Sequence, residues 1–250
     1  MSISKKAIKF HEKMFPGYQT KLLETDPEFV ELFDNFAFDE VVEQTLLDNH
    51  TRFLTILAVL LGSQSINEFK VMLTAAYNFK ITPVEMKEIV YQGTAYLGIG
   101  RVLPFLHAVN DFCIAQNIQL PLDSQSTTIP ETRHDTGEQA QMDIFGEGMK
   151  NFDKSGPEES QHINKWLVEN CFGDYYTRKG LDYRQRELIT FCFLYAQGGC
   201  EPQLLSHIKA NISLGNDKQL LINVISACIP FIGYPRTLNA LKCINEAVSE

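Results

Sequence analysis

The chain has 250 residues and a formal net charge of −9 at pH 7, with 22 lysines and arginines against 31 aspartates and glutamates. This excess of negative charge argues against a general nucleic-acid binder, because phosphate binding requires a basic surface. Hydrophobic residues make up 44% of the chain and charged residues 21%, which are proportions of a globular protein with apolar side chains enough for one or two cores.

The hydropathy pattern predicts neither a membrane span nor a secretory leader. No apolar run reaches the roughly 18 residues that a transmembrane helix needs, and charged residues soon follow the lysines near the N-terminus. The six cysteines form no C-x-x-C pair, so we expect reduced thiols in a cytoplasmic protein. The six histidines show no pair at helical ligand spacing, and a zinc site is not expected.

Helical patterns occupy nearly all of the chain, whereas strand patterns are poor. Thr82, Pro83 and Glu85 supply an N-cap, an N1 proline and a capping-box acid for a helix over 83–92. Residues 116–141 are polar without helical periodicity, and 236–248 carry an amphipathic stripe. The prediction is an all-α protein with an N-terminal repeat over 1–118, a linker over 119–140 and a C-terminal repeat over 141–250.

The chain contains two sequence repeats of one helical unit. At a shift of 134, residues 36–54 fall on 170–188, and after one inserted residue Gly98 and Arg101 fall on Gly233 and Arg236. The first stretch preserves Phe38 with Phe172, Leu47 with Leu181, Asp48 with Asp182, Arg52 with Arg186, and Leu54 with Leu188. Because the spacing is preserved over about 65 residues, a duplication is the better explanation than coincidence.

The two copies differ at three positions where only the second copy carries reactive chemistry. Glu187 corresponds to Phe53, Cys200 to Ile66 and His207 to Leu73. Both copies need a core, but one working site suffices. We therefore interpret the first repeat as a degenerate scaffold and the second as the functional copy.

Local patterns indicate a turn that presents a cysteine. The pair Gly198-Gly199 predicts the end of a helix that starts near Glu187. Pro202 suits the first turn of the next helix, which puts Cys200 or Glu201 at its N-cap. The positive end of that helix dipole then favours a Cys200 thiolate.

His207 follows one to two turns later on the same predicted helix. It shares a face with Gln203 and Asn211 at four-residue spacing, beside an apolar stripe. The imidazole is thus expected at the border between core and polar surface, where a base can face a pocket.

Structural explanations exist for each of these residues. His207 is also compatible with a partly exposed surface position, Cys200 with a small buried residue, and Glu187 with a first-turn acid that complements its helix dipole. Since Arg52 repeats Arg186, a structural salt bridge is the favoured role for Arg186. The first copy also carries an acid, Glu40, at the position that corresponds to Asp174. A structural role for Asp174 is therefore open.

The second repeat resembles the carboxymuconolactone decarboxylase family. The resemblance rests on three segments, which are ENCFGDYYTRKGLD (169–182), LDYRQRELITFCFLYAQGGCEPQLLSHIKANISLG (181–215) and IPFIGYPRTLNALKCINEAV (229–248). It covers about 80 residues well and extends weakly, in register, over the first repeat. It implies AhpD-like helical repeats that assemble as trimeric or hexameric rings.

The resemblance implies cofactor-free decarboxylation of a small carboxylated lactone-type acid. Loss of CO2 leaves an enolate that must be stabilised and protonated, and a histidine with a nearby acid can do this. His207 is the candidate proton-transfer group, with Glu187 orienting it. Arg184, Asp174 and Gln203 are the candidate substrate-binding residues, and Arg184 would hold a carboxylate through its planar fork.

Two other functions stay open at this point. A thiol peroxidase of the same family would use Cys200 with Glu187 and His207, but Gln203 stands where the family's second cysteine belongs. A dithiol cycle needs that resolving thiol, so Cys228, another chain or an external thiol would have to replace it. The third hypothesis is a non-catalytic helical oligomer whose second site has also decayed.

Overall fold

The computed structural model describes residues 2–249, and every regular element in that range is helical. The first repeat contains eight α-helices and one π-helical segment, Phe36–Glu40. In chain order the α-helices are α1 (Lys5–Met14), α2 (Leu22–Thr25), α3 (Pro27–Asn35), α4 (Val41–Gln44), α5 (Asn49–Gly62), α6 (Ile66–Asn78), α7 (Pro83–Leu97) and α8 (Ile99–Ala115).

The second repeat follows a similar course with fewer α-helices, because α2 and α4 have no α-helical counterpart. Short 3-10 turns at 147–149, 152–154 and 158–160 follow its first helix, and a π-helical segment, Leu167–Tyr176, overlaps the counterpart of the first one. Its α-helices are α9 (Arg133–Phe145), α10 (Gln161–Trp166), α11 (Tyr183–Gln197), α12 (Glu201–Ser213), α13 (Lys218–Ile232) and α14 (Tyr234–Ser249). The all-α tandem architecture predicted from the sequence is confirmed.

Residues preserved between the repeats perform the same local tasks in both. Asp48 and Asp182 cap the N-termini of α5 and α11 through their carboxylates. Gly98 (φ 78°) and Gly233 (φ 77°) lie between the last two helices of each repeat, in a backbone region that L side chains rarely adopt. The predicted capping box of Thr82 and Glu85 is present at the start of α7.

The central helices α5 and α11 pack against each other and join the repeats into one core. Gly62 lies so close to its own counterpart, Ala196, that a Cβ at position 62 would stand 2.9 Å from the Ala196 methyl. Helix α13 packs on α5, and α7 packs on α11. Each central helix is therefore covered by a helix of the other repeat.

Helix α9 begins at Arg133, within the range 119–140 expected to be a linker. Its buried positions include Gly137, Ala140 and Gln141, so it lacks the apolar stripe from which a helix is predicted. Small residues instead allow the backbone of α9 to pack closely on the π-helical segment Leu167–Tyr176. A Cβ at Gly137 would lie only 2.1 Å from the Val168 carbonyl oxygen. Residues 119–132 carry no α-helix, and the repeat boundaries themselves stay a prediction.

Within residues 2–249, no helix combines the length and the apolar character needed to cross a membrane.

Replacing Gly137 with alanine is expected to lower the free energy of unfolding by about 2 kcal/mol, because the methyl group meets fixed backbone rather than a movable side chain. Urea unfolding followed by circular dichroism measures the change. Gly148→Ala is the control, since a Cβ there meets no atom within 4 Å, and its effect should stay within about 0.5 kcal/mol. Equal effects of the two variants would contradict the close packing of α9.

Candidate active site

Helices α11 and α12 bring Glu187 and His207 into direct contact. The Glu187 side chain is fully buried in the second turn of α11, and His207 is 8% exposed on α12. The His207 Nδ1 atom lies 2.7 Å from Glu187 Oε2. When Glu187 is ionised, its carboxylate accepts a hydrogen bond from Nδ1–H, which fixes the ring and its tautomer.

Other hydrogen bonds hold the Glu187 carboxylate and the helix that carries it. The Tyr176 hydroxyl donates to Oε1 at 2.8 Å and lies 2.7 Å from the Thr190 hydroxyl. Gln92 donates to the Thr190 oxygen at 2.8 Å, so the donors can point in series toward Glu187. A buried carboxylate requires such donors, because burial without them disfavours its charge.

The first repeat contributes a second tyrosine to the site. The hydroxyl of Tyr96, on α7, lies 2.8 Å from that of Tyr176. Burial and the nearby Glu187 charge raise the pKa of both tyrosines well above the ordinary value, so both remain neutral hydrogen-bond donors. Burial likewise raises the pKa of Cys171, beside Tyr96, to about 12.

Aromatic rings enclose the exposed edge of His207. The rings of Phe145 and Tyr96 meet the imidazole edge to face, with centroids 5.3 and 5.7 Å away. Asn211 donates to the backbone oxygens of both Glu187 and His207, which ties α11 to α12. The only hydrogen bond of the imidazole within residues 2–249 is made by Nδ1, and Nε2 has no hydrogen-bond partner there.

The three candidate substrate-binding residues lie outside this contact. Arg184 is exposed, and its Nε donates to Asn216 Oδ1 at 2.6 Å. Asp174 pairs with Arg133 at 3.3 Å, a structural contact between α9 and the π-helical segment. Gln203 is exposed one turn before His207.

Cys200 is half-buried at the N-cap of α12 but is not activated as the sequence suggested. Its thiol donates to the Leu194 carbonyl oxygen at 3.2 Å. Burial and the nearby Glu201 charge raise the pKa of Cys200, and they outweigh the opposing effect of Arg236. The expectation of a favoured thiolate was therefore wrong. Among the described residues, no hydrogen bond joins Cys200 to Glu187 or His207.

A buried ion pair between Arg186 and Glu88 is connected to the site through Gln92 and Thr190. Arg186 donates to Glu88 at 2.9 Å and to the Gln92 amide oxygen, which confirms the predicted salt bridge and links it to Thr190. Arg178 also donates to Glu88, at 2.9 Å. Glu88 and Gln92 belong to the first repeat, so the ion pair crosses between the repeats.

The first repeat keeps the matching arginine, Arg52, but has no carboxylate in the position of Glu88. Arg52 is 3% exposed and donates to the Thr45 carbonyl oxygen, while its Nε has no hydrogen-bond partner. At the repeat shift of 135, the counterpart of Glu88 is Asn223. The arginine is therefore part of the duplicated scaffold, and its carboxylate partner is specific to the second copy.

Comparison of the repeats at more positions could have identified further site residues. Tyr176 and Thr190 correspond to Val42 and Ile56, and both changes replace an apolar side chain with a hydroxyl. Tyr96 was harder to find, because its counterpart, Phe231, is also aromatic. Phe145 was missed because it ends a helix that the sequence did not predict.

Among residues 2–249, no group of three or more His, Cys, Asp and Glu side chains is arranged to hold a metal ion.

Arg186→Met is expected to lower the free energy of unfolding by about 3 kcal/mol, because it leaves the buried Glu88 with one cation fewer. Arg52→Met is the matched control from the other repeat and should cost less than about 1 kcal/mol, since no carboxylate loses a partner there. Urea unfolding of both variants gives the comparison. If Arg52→Met lowers the free energy of unfolding as much as Arg186→Met does, the loss of the ion pair with Glu88 does not explain the effect.

Comparisons with known proteins agree with the fold and the repeat. The carboxymuconolactone decarboxylase family model matches residues 27–111 and 161–246. A 4-carboxymuconolactone decarboxylase from Acinetobacter baylyi is 32% identical over 84 residues, which are 34% of this chain and 63% of that protein. The matched part of this chain thus spans less than two thirds of that relative.

A solved structure shows the same fold over nearly the whole chain. It comes from Burkholderia xenovorans LB400 and is described as a candidate gamma-carboxymuconolactone decarboxylase subunit. It covers 97% of both chains with a TM-score of 0.56 and 15% identity, so the likeness concerns the fold alone. Since the family model matches well over half of the residues, in two copies, the chain belongs to the carboxymuconolactone decarboxylase family.

Proposed function

We propose that this protein removes CO2 from a small carboxylated lactone-type acid, with His207 as the proton-transfer group. The observation that carries the proposal is the buried pair of Glu187 and His207, with Nδ1 held at 2.7 Å and Nε2 left without a protein partner. The name of the Acinetobacter relative supports the same reaction class.

The reaction needs one proton and no external electrons. The bond between the carboxylate carbon and the adjacent ring carbon breaks, CO2 leaves, and the electron pair remains on the ring carbon as an enolate conjugated with the lactone carbonyl. Protonated His207 donates its Nε2 proton to that carbon and regains a proton from solvent after the product leaves. Because the step is redox-neutral, it proceeds without a redox cofactor.

Glu187 is a positioning residue in this mechanism. Its carboxylate holds Nδ1–H and stabilises the imidazolium, while Tyr176 holds the carboxylate in place. The rings of Phe145 and Tyr96 limit water around the imidazole, which strengthens the electrostatic attraction between the imidazolium and the enolate.

Gln203 and Arg184 are the proposed substrate contacts. Gln203 lies one turn before His207 on the same helix, and the Nη atoms of Arg184 make no hydrogen bond with residues 2–249. Asp174 is committed to Arg133, and we assign it to holding α9, which carries Phe145.

The thiol-peroxidase alternative would depend on Cys200 alone. The raised pKa of that thiol lowers its thiolate fraction at neutral pH, and Gln203 replaces the resolving cysteine. No contact of Cys200 favours this reaction over decarboxylation.

The His207→Ala variant is expected to lower kcat with 4-carboxymuconolactone by about 10²–10⁴-fold, because general acid catalysis contributes about that much. Glu187→Gln should lower kcat by about 10²-fold and alter the pH profile, since the imidazolium loses its carboxylate. Cys200→Ser should keep wild-type activity. Substrate loss and CO2 release measure the reaction, and circular dichroism checks folding.

Two results would contradict this proposal. One is full decarboxylase activity in His207→Ala. The other is peroxide-dependent thiol turnover that is abolished in Cys200→Ser while the lactone acid is left untouched.

We further propose that the chain assembles into a trimer with six repeats in a ring. The last helix of each repeat exposes an apolar pair at equivalent positions, Ile99 and Leu103 on α8 and Tyr234 and Leu238 on α14. Leu103 is 43% exposed and Leu238 is 58% exposed. Repeated apolar surfaces of this kind suit a cyclic contact between neighbouring repeats.

Light scattering after size-exclusion chromatography is expected to give a mass of about 85 kDa, three times the chain mass of 28.4 kDa. Leu103→Glu with Leu238→Glu should shift the protein to the monomer mass, because charges then oppose burial of both surfaces. Lys150→Glu, on an exposed turn, should leave the mass unchanged. A wild-type monomer would contradict the assembly.

A further inference from the structure

The first repeat contains a cavity of about 420 Å³ beside α1, α3, α6 and α13. Its wall is largely aromatic and aliphatic, and α13 of the second repeat closes one side of it. The aromatic members are Phe15, Tyr18, Phe29, Phe33, Phe38 and Phe231. A volume of this size accommodates a small organic molecule rather than a few waters.

The repeat register places this cavity beside the counterpart of the His207 site. His11 and Phe38 line it, and at a shift of 134 they correspond to Phe145 and Phe172. The same rings touch in both copies, with centroids 6.1 Å apart for His11 and Phe38 and 5.8 Å apart for Phe145 and Phe172. Phe231 lines the cavity as the counterpart of Tyr96. The cavity therefore lies where the first copy carries the counterparts of the aromatic residues around His207, next to Leu73, which replaces His207 itself.

The polar groups of the cavity differ in charge from those around His207. Asp34 and Glu68 line it, both half-buried, and neither forms a hydrogen bond or salt bridge with another residue in 2–249. Burial raises the pKa of both carboxyl groups, and the nearby His11 partly opposes this for Asp34. Two half-buried carboxylates that have no hydrogen-bond or salt-bridge partner favour a ligand that brings a positive charge.

We propose that this cavity binds a cationic amphiphile, a protonated amine carried on an apolar or aromatic body. The ammonium group would lie between Asp34 and Glu68, where it meets two acceptors. The body would pack against the phenylalanine rings, which also attract a cation through their faces. An anionic molecule would be repelled, and a neutral hydrocarbon would leave the carboxylates desolvated. The first repeat is then a binding module with a charge preference opposite to that of the site for the carboxylated lactone.

Fluorescence titration of the full-length protein with dansylcadaverine, a primary alkylamine linked to an aromatic dansyl group, tests the proposal. Its N-acetylated derivative has the same ring system without the charge and should bind at least tenfold more weakly. Asp34→Asn and Glu68→Gln should each weaken amine binding about tenfold, equivalent to 1.4 kcal/mol, and leave the acetylated probe unaffected. Glu246→Gln, an exposed acid on α14, is the matched control without effect.

Two further variants keep the test independent of folding and of the other site. Val71→Trp narrows the cavity from its partly exposed wall and should weaken binding of both probes. His207→Ala should bind dansylcadaverine as the wild type does. Equal binding of the two probes, no binding at all, insensitivity to Asp34→Asn and Glu68→Gln, or loss of binding in His207→Ala would each overturn the proposal.

Discussion

The site depends on one constraint, which is that the Glu187 carboxylate is completely buried. A carboxylate in such a place keeps its charge only when donors replace the lost water. Tyr176 and His207 supply these donors directly, Thr190 and Tyr96 hold Tyr176, and Gln92 holds Thr190. The geometry of the imidazole thus follows from satisfying a neighbouring charge.

Pattern and spacing were enough to predict the all-helical class, the duplication and the contrast of Glu187 and His207 with Phe53 and Leu73. These features depend on local sequence and on comparison of the copies. The role of Tyr96 was not predictable, because it requires α7 of one repeat to lie on α11 of the other. Helix α9 escaped prediction because its contacts are made by backbone at small residues. The thiolate expected at Cys200 is disfavoured because burial and the nearby Glu201 charge raise the pKa of that thiol.

Arg186 and Arg52 show how a duplicated residue can contribute unequally to stability at its two positions. Both guanidinium groups are buried at equivalent positions of the central helices. Arg186 donates to Glu88 and Gln92, whereas Arg52 donates to the Thr45 carbonyl oxygen and has no carboxylate partner, and the Nε of each arginine lacks a hydrogen-bond partner. Identity between repeats therefore indicates shared architecture, and the surroundings decide whether the same residue forms an ion pair.

The crossing of Tyr96 into the other repeat has an evolutionary consequence. In a symmetric pair of identical single-repeat chains, any substitution at this position would alter both sites at once, because symmetry imposes it twice. Covalent fusion removes that restriction, since each half then mutates independently while remaining at fixed stoichiometry beside its neighbour. One half could thus acquire the phenol that supports a buried acid while the other changed its pocket, a divergence closed to a homodimer.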